Sequence, residues 1–206
     1  MRCLIILAAL WFAAVACSAE PKESCVQVVR MFFEDAPDGA CMRGHWGSGT
    51  VVASDAKGST ILTCRHGAPT GKGCYYFARI DGKDYQCEWL RADDKTDLAA
   101  LHTTHRLPAV AVANATPPTS TAVYQWGYTR AGPRNGKRGA ITALEVTTED
   151  GYTTPILRTS VQMDHADSGV GVLTADGKLI GVGVGQGSGL QRAVALPDVR
   201  RFLRLD

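Results

Sequence analysis

The sequence predicts an all-β chain built from two consecutive halves. Short runs rich in Val, Ile, Thr, Tyr and Phe alternate with Gly, Asp, Asn and Pro, which is the pattern of strands and turns. Helical spacing of apolar residues is found only near the C-terminus. A polar, proline-containing linker at residues 113–120 divides the chain into halves of similar size, so two barrels or a pair of sandwiches are expected.

The N-terminus has the pattern of an export signal. Arg2 precedes an unbroken apolar run over residues 3–17, and polar residues follow directly. This run is shorter than the roughly 20 residues that cross a bilayer, so we predict a signal peptide over residues 1–19 rather than a membrane span. Ordinary cleavage predicts a periplasmic or extracellular protein. A lipobox ending at Cys17, with that cysteine acylated, is the alternative and would leave a lipid-anchored protein.

The strands of the first half are predicted from runs of apolar and β-branched residues between about residues 24 and 112. They lie at 25–33, 49–53, 59–64, 75–80, 85–91 and 98–103. Asp81-Gly82 predicts a hairpin turn between the fourth and fifth of these strands. The second half, about 121–206, contains the predicted strands 122–128, 139–146, 155–161, 169–174, 179–185 and 192–195, and then a short helix at 197–205.

The cysteines are concentrated in the first half. The chain has seven, of which five follow the signal and its processing site: Cys25, Cys41, Cys64, Cys74 and Cys87. No two of them form a Cys-x-x-Cys pair, so disulfides are expected rather than a zinc ribbon. Cys74 and Cys87 flank the predicted hairpin and are the expected pair.

Three short segments contain candidate catalytic residues. His66 follows the apolar run ILTC at a turn, Asp97 directly precedes a predicted strand, and Ser168 lies in a tight loop before a glycine. Each alone is an ordinary loop or turn residue. Together, in the order His, Asp, Ser and at strand edges in both halves, they match one known order of base, orienting acid and nucleophile.

The segments around these residues resemble the trypsin-like serine peptidases, and among them the bacterial HtrA/Deg-like peptidase domains. GSGTVV leading to ILTCRHG is similar to the family's GSG strand and histidine, and DDKTDLAAL to its aspartate stretch. DSGVGVLTADGKLIGV resembles the serine loop with its following strands, and RAVALPDVRRFL the final strand and helix. The resemblance covers nearly the whole mature chain. It implies two consecutive six-stranded antiparallel β-barrels with a short C-terminal helix. Because the sequence ends at Asp206, no PDZ domain is expected.

The same resemblance implies a serine endopeptidase that hydrolyses peptide bonds through an acyl-enzyme. His66, Asp97 and Ser168 would be catalytic, and the backbone N–H groups of Ala166 and Ser168 would form the oxyanion hole. The substrate pocket would be lined by Gln162, Met163, His165, Gly183 and Gly185. The Gly-Val alternation around Gly183, without an acidic residue, favours a small or apolar substrate side chain. A peptide or protein substrate is expected, and no cofactor or metal.

The serine loop departs from the family pattern Gly-x-Ser-Gly-Gly-Pro. Here Ala166, Val170 and Gly171 stand at three of those positions, and an alanine resists the positive φ that a glycine adopts freely. A catalytically silent relative that binds proteins or peptides is therefore the alternative. Asp167 resembles acidic residues that pair with a newly cut N-terminus in some trypsin-like enzymes, which leaves activation by cleavage open. Arg65 precedes His66, and its cation would disfavour the protonated imidazole if the two side chains were close.

The charge pattern excludes several other classes of partner. A net charge of +2 creates no strong field of one sign, so neither nucleic acid nor an anionic membrane surface is expected to bind. Arg130, Arg134, Lys137 and Arg138 form a basic cluster that we interpret as a solvated loop, with an anionic partner as the less favoured reading. His102 and His105 have no adjacent third ligand and are interpreted as surface residues. The oligomeric state is left open.

Overall fold

The structure is a computed structural model that describes residues 21–36, 39–69, 73–129, 132–133, 136–149, 152–187 and 190–205. The predicted signal peptide and Cys17 lie outside the described residues, as does the side chain of Cys41. A short 3-10 helix, Pro21–Ser24, leads into the first strand. No helix in the described ranges is long and apolar enough to span a membrane.

The first half forms a closed antiparallel barrel of six strands in the order β1-β2-β3-β6-β5-β4. These strands are β1 (Cys25–Ala36), β2 (Gly39–Asp55), β3 (Gly58–Cys64), β4 (Tyr75–Ile80), β5 (Lys83–Asp93) and β6 (Leu98–Thr103). The predicted Asp81-Gly82 turn connects β4 to β5, with Asp81 at φ +49° and Gly82 at φ +77°. Closure removes unpaired strand edges.

The second half forms another closed six-stranded barrel, in the order β10-β11-β14-β13-β12-β7, beside the small sheet β8-β9. The strands are β7 (Ala122–Gln125), β8 (Tyr128–Thr129), β9 (Gly132–Pro133), β10 (Lys137–Glu149), β11 (Tyr152–Thr159), β12 (Gly171–Thr174), β13 (Leu179–Gly187) and β14 (Leu190–Ala195). Helix α1 (Leu196–Leu203) follows, with Pro197 in its first turn, where the missing N–H costs nothing.

The predicted fold class, all-β with two six-stranded barrels and a short terminal helix, is confirmed. The main difference is β2, which begins at Gly39 rather than near residue 49. Its first part, GACMRGHWG, has few β-branched residues, and it is held extended by pairing with β1 along the whole register from Cys25↔Thr50 to Ala36↔Gly39. This long hairpin brings His45 and Trp46 to the edge of the cleft described below.

Among the residues that the structure describes, three apolar clusters form the core. Each barrel has its own, around Val51 and Ile61 in the first barrel and around Ile141 and Leu157 in the second. The third cluster joins the two barrels and contains Leu62, Leu98, Val110, Leu173, Leu179, Val182, Val194 and Val199. The barrels therefore share buried surface, and Leu98 directly follows the candidate Asp97.

The predicted disulfide between Cys74 and Cys87 is wrong. Cys25, Cys64, Cys74 and Cys87 are free thiols in the structure. Cys87 lies opposite Tyr76 in the β4–β5 register, so Cys74 is offset from Cys87 by two residues. Diagonal neighbours in such a ladder are about 7–8 Å apart between Cα atoms, which is beyond the usual span of a disulfide.

Candidate active site

Asp97 holds His66 through both of its carboxylate oxygens. The backbone N–H of His66 donates to Oδ1 at 2.8 Å, and Nδ1 lies 2.6 Å from Oδ2. Asp97 itself is in the left-handed region at φ +56°, at the end of the turn before β6, and its carbonyl accepts from Arg65 N–H at 2.8 Å. This turn aims the carboxylate at the end of β3 and fixes the imidazole orientation.

The pKa of His66 is raised to about 10, first by the hydrogen bond to Asp97 and next by the contact with Cys64, while burial opposes the shift. Cys64 Sγ lies 3.6 Å from Nε2, the ring nitrogen that faces away from Asp97. Arg65 does not contribute to this shift: its Nε pairs with Asp94 at 2.9 Å, and the protonated imidazole is favoured. The ring remains half exposed.

Ser168 lies in a tight loop with positive φ on either side of it. Ala166 has φ +80° and Gly169 has φ +91°. The alanine thus adopts the conformation that the sequence analysis expected it to resist. Within the described residues, the N–H groups of Ala166 and Ser168 donate to no backbone acceptor, and the Ser168 hydroxyl makes no hydrogen bond. One hydroxyl and two backbone donors are therefore unoccupied at the same turn.

The GSGT segment of β2, in the first barrel, forms hydrogen bonds with the Ser168 loop of the second barrel. Ser48 N–H donates to the Ser168 carbonyl at 2.8 Å, and the Ser48 hydroxyl donates to the Ala166 carbonyl at 2.9 Å. Gly171 N–H donates to Thr50 Oγ1 at 2.9 Å. A Cβ on Gly169 would lie 2.1 Å from the Ser48 carbonyl oxygen, so only glycine fits there. These contacts fix the serine loop of the second barrel against the first.

Both His66 and Ser168 line one cavity of about 870 Å³ between the barrels. Of the residues predicted for the substrate pocket, Met163, His165 and Gly185 line the cavity. The other two predicted residues are not among those that line it. Gln162 is exposed, and its carbonyl accepts a hydrogen bond from Lys137. Gly183 is buried and forms backbone hydrogen bonds with Val170 and Gly169. Among the described side chains, no group of three or more His, Cys, Asp or Glu is arranged to hold a metal.

The interpretation of the basic cluster as a solvated loop is wrong for Lys137, which is the first residue of β10. Its ammonium group donates to Asp167 Oδ2 at 2.6 Å, Asp164 Oδ2 at 3.0 Å and the Gln162 carbonyl at 2.8 Å. Asp167 is 2% exposed. Arg138 lies over the Tyr124 ring, and the side chains of Arg130 and Arg134 are outside the described residues.

Three further residues have roles that local sequence patterns do not reveal directly. Ser48 lies between two glycines, and glycine in a strand indicates a close approach of another backbone. The charge of Lys137 alone does not identify a partner that follows it by thirty residues. The position of Cys64, two residues before His66, is a signal that a thiol lies near the imidazole.

The family model described as the trypsin-like peptidase domain matches residues 47–182, which include His66, Asp97 and Ser168. No curated protein sequence matches the chain. Many solved structures have a similar fold.

The solved structures include a mycobacterial protease in two states. The active form of Rv3671c protease from M. tuberculosis has a TM-score of 0.73 at 19% identity, covering 89% of this chain and 81% of that one. Its inactive form has a TM-score of 0.71 at 17% identity, covering 90% and 89%. The HtrA-type protease AlgW, solved with a decapeptide, has a TM-score of 0.71 at 17% identity, covering 89% of this chain but 64% of AlgW.

Proposed function

Because the chain belongs to the trypsin-like peptidase domain family, we propose that it is a serine endopeptidase with His66, Asp97 and Ser168 as its catalytic triad. The observation that carries the proposal is the shared cavity, which is lined by Ser168 and by an imidazole held 2.6 Å from the Asp97 carboxylate. The substrate is a peptide or protein chain lying in the cleft between the barrels.

In this mechanism His66 removes the proton of the Ser168 hydroxyl as that oxygen attacks the carbonyl carbon of the scissile peptide bond. Asp97 stabilises the imidazolium ion that results. The imidazolium then gives its proton to the leaving amine, which departs with one peptide product. Water, activated by the same imidazole, hydrolyses the remaining acyl ester and releases the second product together with free Ser168.

The N–H groups of Ala166 and Ser168 stabilise the negative oxygen of the tetrahedral intermediates. Their lack of backbone acceptors within the described residues supports this role. Each such donor contributes on the order of 10²–10³ to turnover where it has been removed from other enzymes.

A fluorophosphonate ester tests the proposal directly, since it reacts with an activated serine without requiring knowledge of the substrate. The Ser168 oxygen displaces fluoride from phosphorus, so we expect the folded wild type to gain the mass of one phosphonyl group, and Ser168→Ala to gain none. Ser160→Ala, which changes an exposed serine of the second barrel, should label as the wild type does. An unlabelled, folded wild type would contradict the proposal.

A binding module without catalysis is the second candidate, and one observation favours it. Nε2 of His66 contacts Cys64 Sγ, and the Ser168 hydroxyl has no hydrogen bond among the described residues. If this arrangement persists when a peptide binds, the serine is not activated. Peptide binding that is unaffected by Ser168→Ala, together with absent labelling, would favour this candidate over the peptidase.

We further propose that the pocket accepts a small or apolar side chain. Met163 lines the cavity while most of its side chain is buried, and a Cβ on Gly183 would lie 3.3 Å from its Cε. This supports a pocket whose inner end is filled by a flexible apolar group. A peptide library should be cleaved after small or apolar residues in preference to Lys or Arg.

Export to the periplasm or the cell exterior is proposed from the first nineteen residues alone. Disulfides would have supported an oxidising compartment, but the described cysteines of the first barrel are free thiols and give no such support. The intact mass of the protein recovered after export tests this, because cleavage near residue 19 and acylation of Cys17 give different masses. Recovery of the uncleaved chain from the cytoplasm would contradict the proposal.

A further inference from the structure

The segment that precedes Ser168 is organised around one buried carboxylate, that of Asp167. Oδ2 of Asp167 accepts from the backbone N–H of Asp164 at 2.6 Å. The Asp167 N–H donates to the Asp164 carbonyl at 3.0 Å, and its carbonyl accepts from Val170 N–H at 2.9 Å. Asp167 therefore stabilises the turn from both ends, and the candidate oxyanion donors belong to the residues on either side of it.

The Asp167 side chain lies in a site that fits it closely. It is 2% exposed, and a Cβ on Gly127 would lie 2.1 Å from its Oδ1. A buried carboxylate is strongly unfavourable without a compensating cation. Among the described residues, the only ion pair of Asp167 is with Lys137, at 2.6 Å.

Lys137 is well placed to compensate this charge. It is the first residue of β10, where it pairs with Gln125 of β7, so its backbone is fixed by the second barrel. Its ammonium group makes three hydrogen bonds, to Gln162, Asp164 and Asp167, which is the full donor capacity of a lysine. All three acceptors belong to the six residues before Ser168.

We infer that Lys137 is a positioning residue for the reaction: its ammonium ion, paired with Asp167, holds the Ala166–Ser168 donors in the orientation that binds the oxyanion. The inference rests on the proposed peptidase function. It also means that the loop is ordered by a side chain of its own barrel, so that no newly cut N-terminus is needed to pair with Asp167. Displacing reacting groups by about 1 Å costs about 10² in rate.

The test compares the wild type with Lys137→Met, and with Lys178→Met as the matched control. Lys178 pairs with Asp176 in an exposed turn outside the cavity, so its loss removes a charge without touching the loop. Hydrogen exchange of the peptide covering residues 162–170 is measured first, because it needs no activity. We expect faster exchange at the Asp164 and Asp167 amides in Lys137→Met only. Wild-type protection in folded Lys137→Met would overturn the inference.

The rate of fluorophosphonate labelling is the second readout. We expect it to fall about 10²-fold in Lys137→Met, and to be partly retained in Lys137→Arg. It should also recover in part when ethylammonium is added to Lys137→Ala, whose short side chain leaves room for this cation. Lost packing of the lysine stem would not be rescued by a small free cation. An unchanged labelling rate, or a reduced rate that neither the arginine nor ethylammonium improves, would overturn the inference.

Two further arms separate the remaining cases. If Lys137→Met does not fold, Lys137→Met/Asp167→Asn removes the unpaired buried charge as well. Slow labelling of this folded double variant supports the inference, and labelling at the wild-type rate overturns it. If the wild type itself is not labelled, the proposed function fails, and hydrogen exchange alone decides whether Lys137 orders the loop.

Discussion

The imidazole of His66 has a different neighbour at each nitrogen. Asp97 binds Nδ1, and Cys64 Sγ contacts Nε2. The carboxylate is the larger cause of the raised pKa, because it stabilises the imidazolium ion. The same interaction favours the protonated resting state and, in the proposed reaction, would stabilise the charge that forms on His66.

Asp97→Asn is expected to lower kcat/KM by about 10⁴, the cost of losing such an aspartate from well-studied triads. The asparagine side chain carries no negative charge, so it binds Nδ1–H less strongly than the carboxylate does. The imidazole ring then loses its fixed orientation, and the imidazolium ion loses its stabilisation. Asp94→Asn is the control, since Asp94 is an exposed partner of Arg65 rather than of His66. Steady-state cleavage of a peptide substrate by both variants measures the effect. Equal losses in the two variants would contradict the role of Asp97.

The pKa of about 10 predicts that kcat/KM rises as the pH increases from neutral towards 10, because only neutral imidazole can accept the serine proton. Cys64→Ala removes the second cause of that shift. It should therefore move the acid limb of the pH profile to lower pH and raise activity at neutral pH.

Cys87→Ala is the matched control for Cys64→Ala, since Cys87 is a buried free thiol of the same barrel that lies elsewhere in its core. The measurement is the pH dependence of fluorophosphonate labelling. Overlapping profiles for Cys64→Ala and the wild type would show that the thiol does not influence His66.

At the scale of the element, the serine turn has strict steric requirements. Gly169 combines φ +91° with a Cβ position 2.1 Å from the Ser48 carbonyl, whereas Gly82 has φ +77° and nothing within 4 Å. Gly82→Ala should cost about 1–2 kcal/mol of unfolding free energy for its positive φ alone. Gly169→Ala adds the cost of overpacking and should reach about 2–5 kcal/mol. Denaturant unfolding of both variants tests this, and equal losses would contradict it.

The strands differ in how far the sequence could predict them. β4 and β6 have the predicted bounds, because each is a mostly apolar segment that lies between turn residues. The first part of β2 could not be predicted, since it is extended by pairing with β1 rather than by its own propensity. Likewise, no local pattern could show that Cys74 is two residues out of register with Cys87, or that the Lys137 side chain is turned towards Asp167.

At the scale of the whole molecule, hydrogen bonds between the two barrels lie beside the cavity that His66 and Ser168 line. His66 and Asp97 come from the first barrel and Ser168 from the second. The GSGT segment of β2 joins the two barrels by hydrogen bonds to the Ser168 loop. The resemblance could place the three residues near one cleft from their order alone. The cross-barrel contacts of Ser48 and Thr50 depend on tertiary structure and were not predictable from the sequence.

This arrangement predicts that the shared core affects activity as well as stability. Leu98 and Leu101 are both fully buried residues of β6, but Leu98 packs in the cluster between the barrels and Leu101 in the core of the first barrel. Truncation of either to alanine should cost about 2–5 kcal/mol of unfolding free energy. The two variants should differ in kcat/KM, measured well below their unfolding temperatures.

Leu98→Ala is expected to lower kcat/KM, by about 10² if Asp97 moves by about 1 Å, because the cavity lies beside Asp97 and loosens the contact between the barrels. Leu101→Ala should leave kcat/KM of the folded protein near the wild-type value, since its cavity is enclosed by one barrel. Equal kcat/KM values for the two folded variants would contradict this expectation. The relative position of the barrels would then be fixed by the hydrogen bonds of Ser48 and Thr50 rather than by the apolar cluster. In that case Thr50→Val would be the variant that lowers kcat/KM.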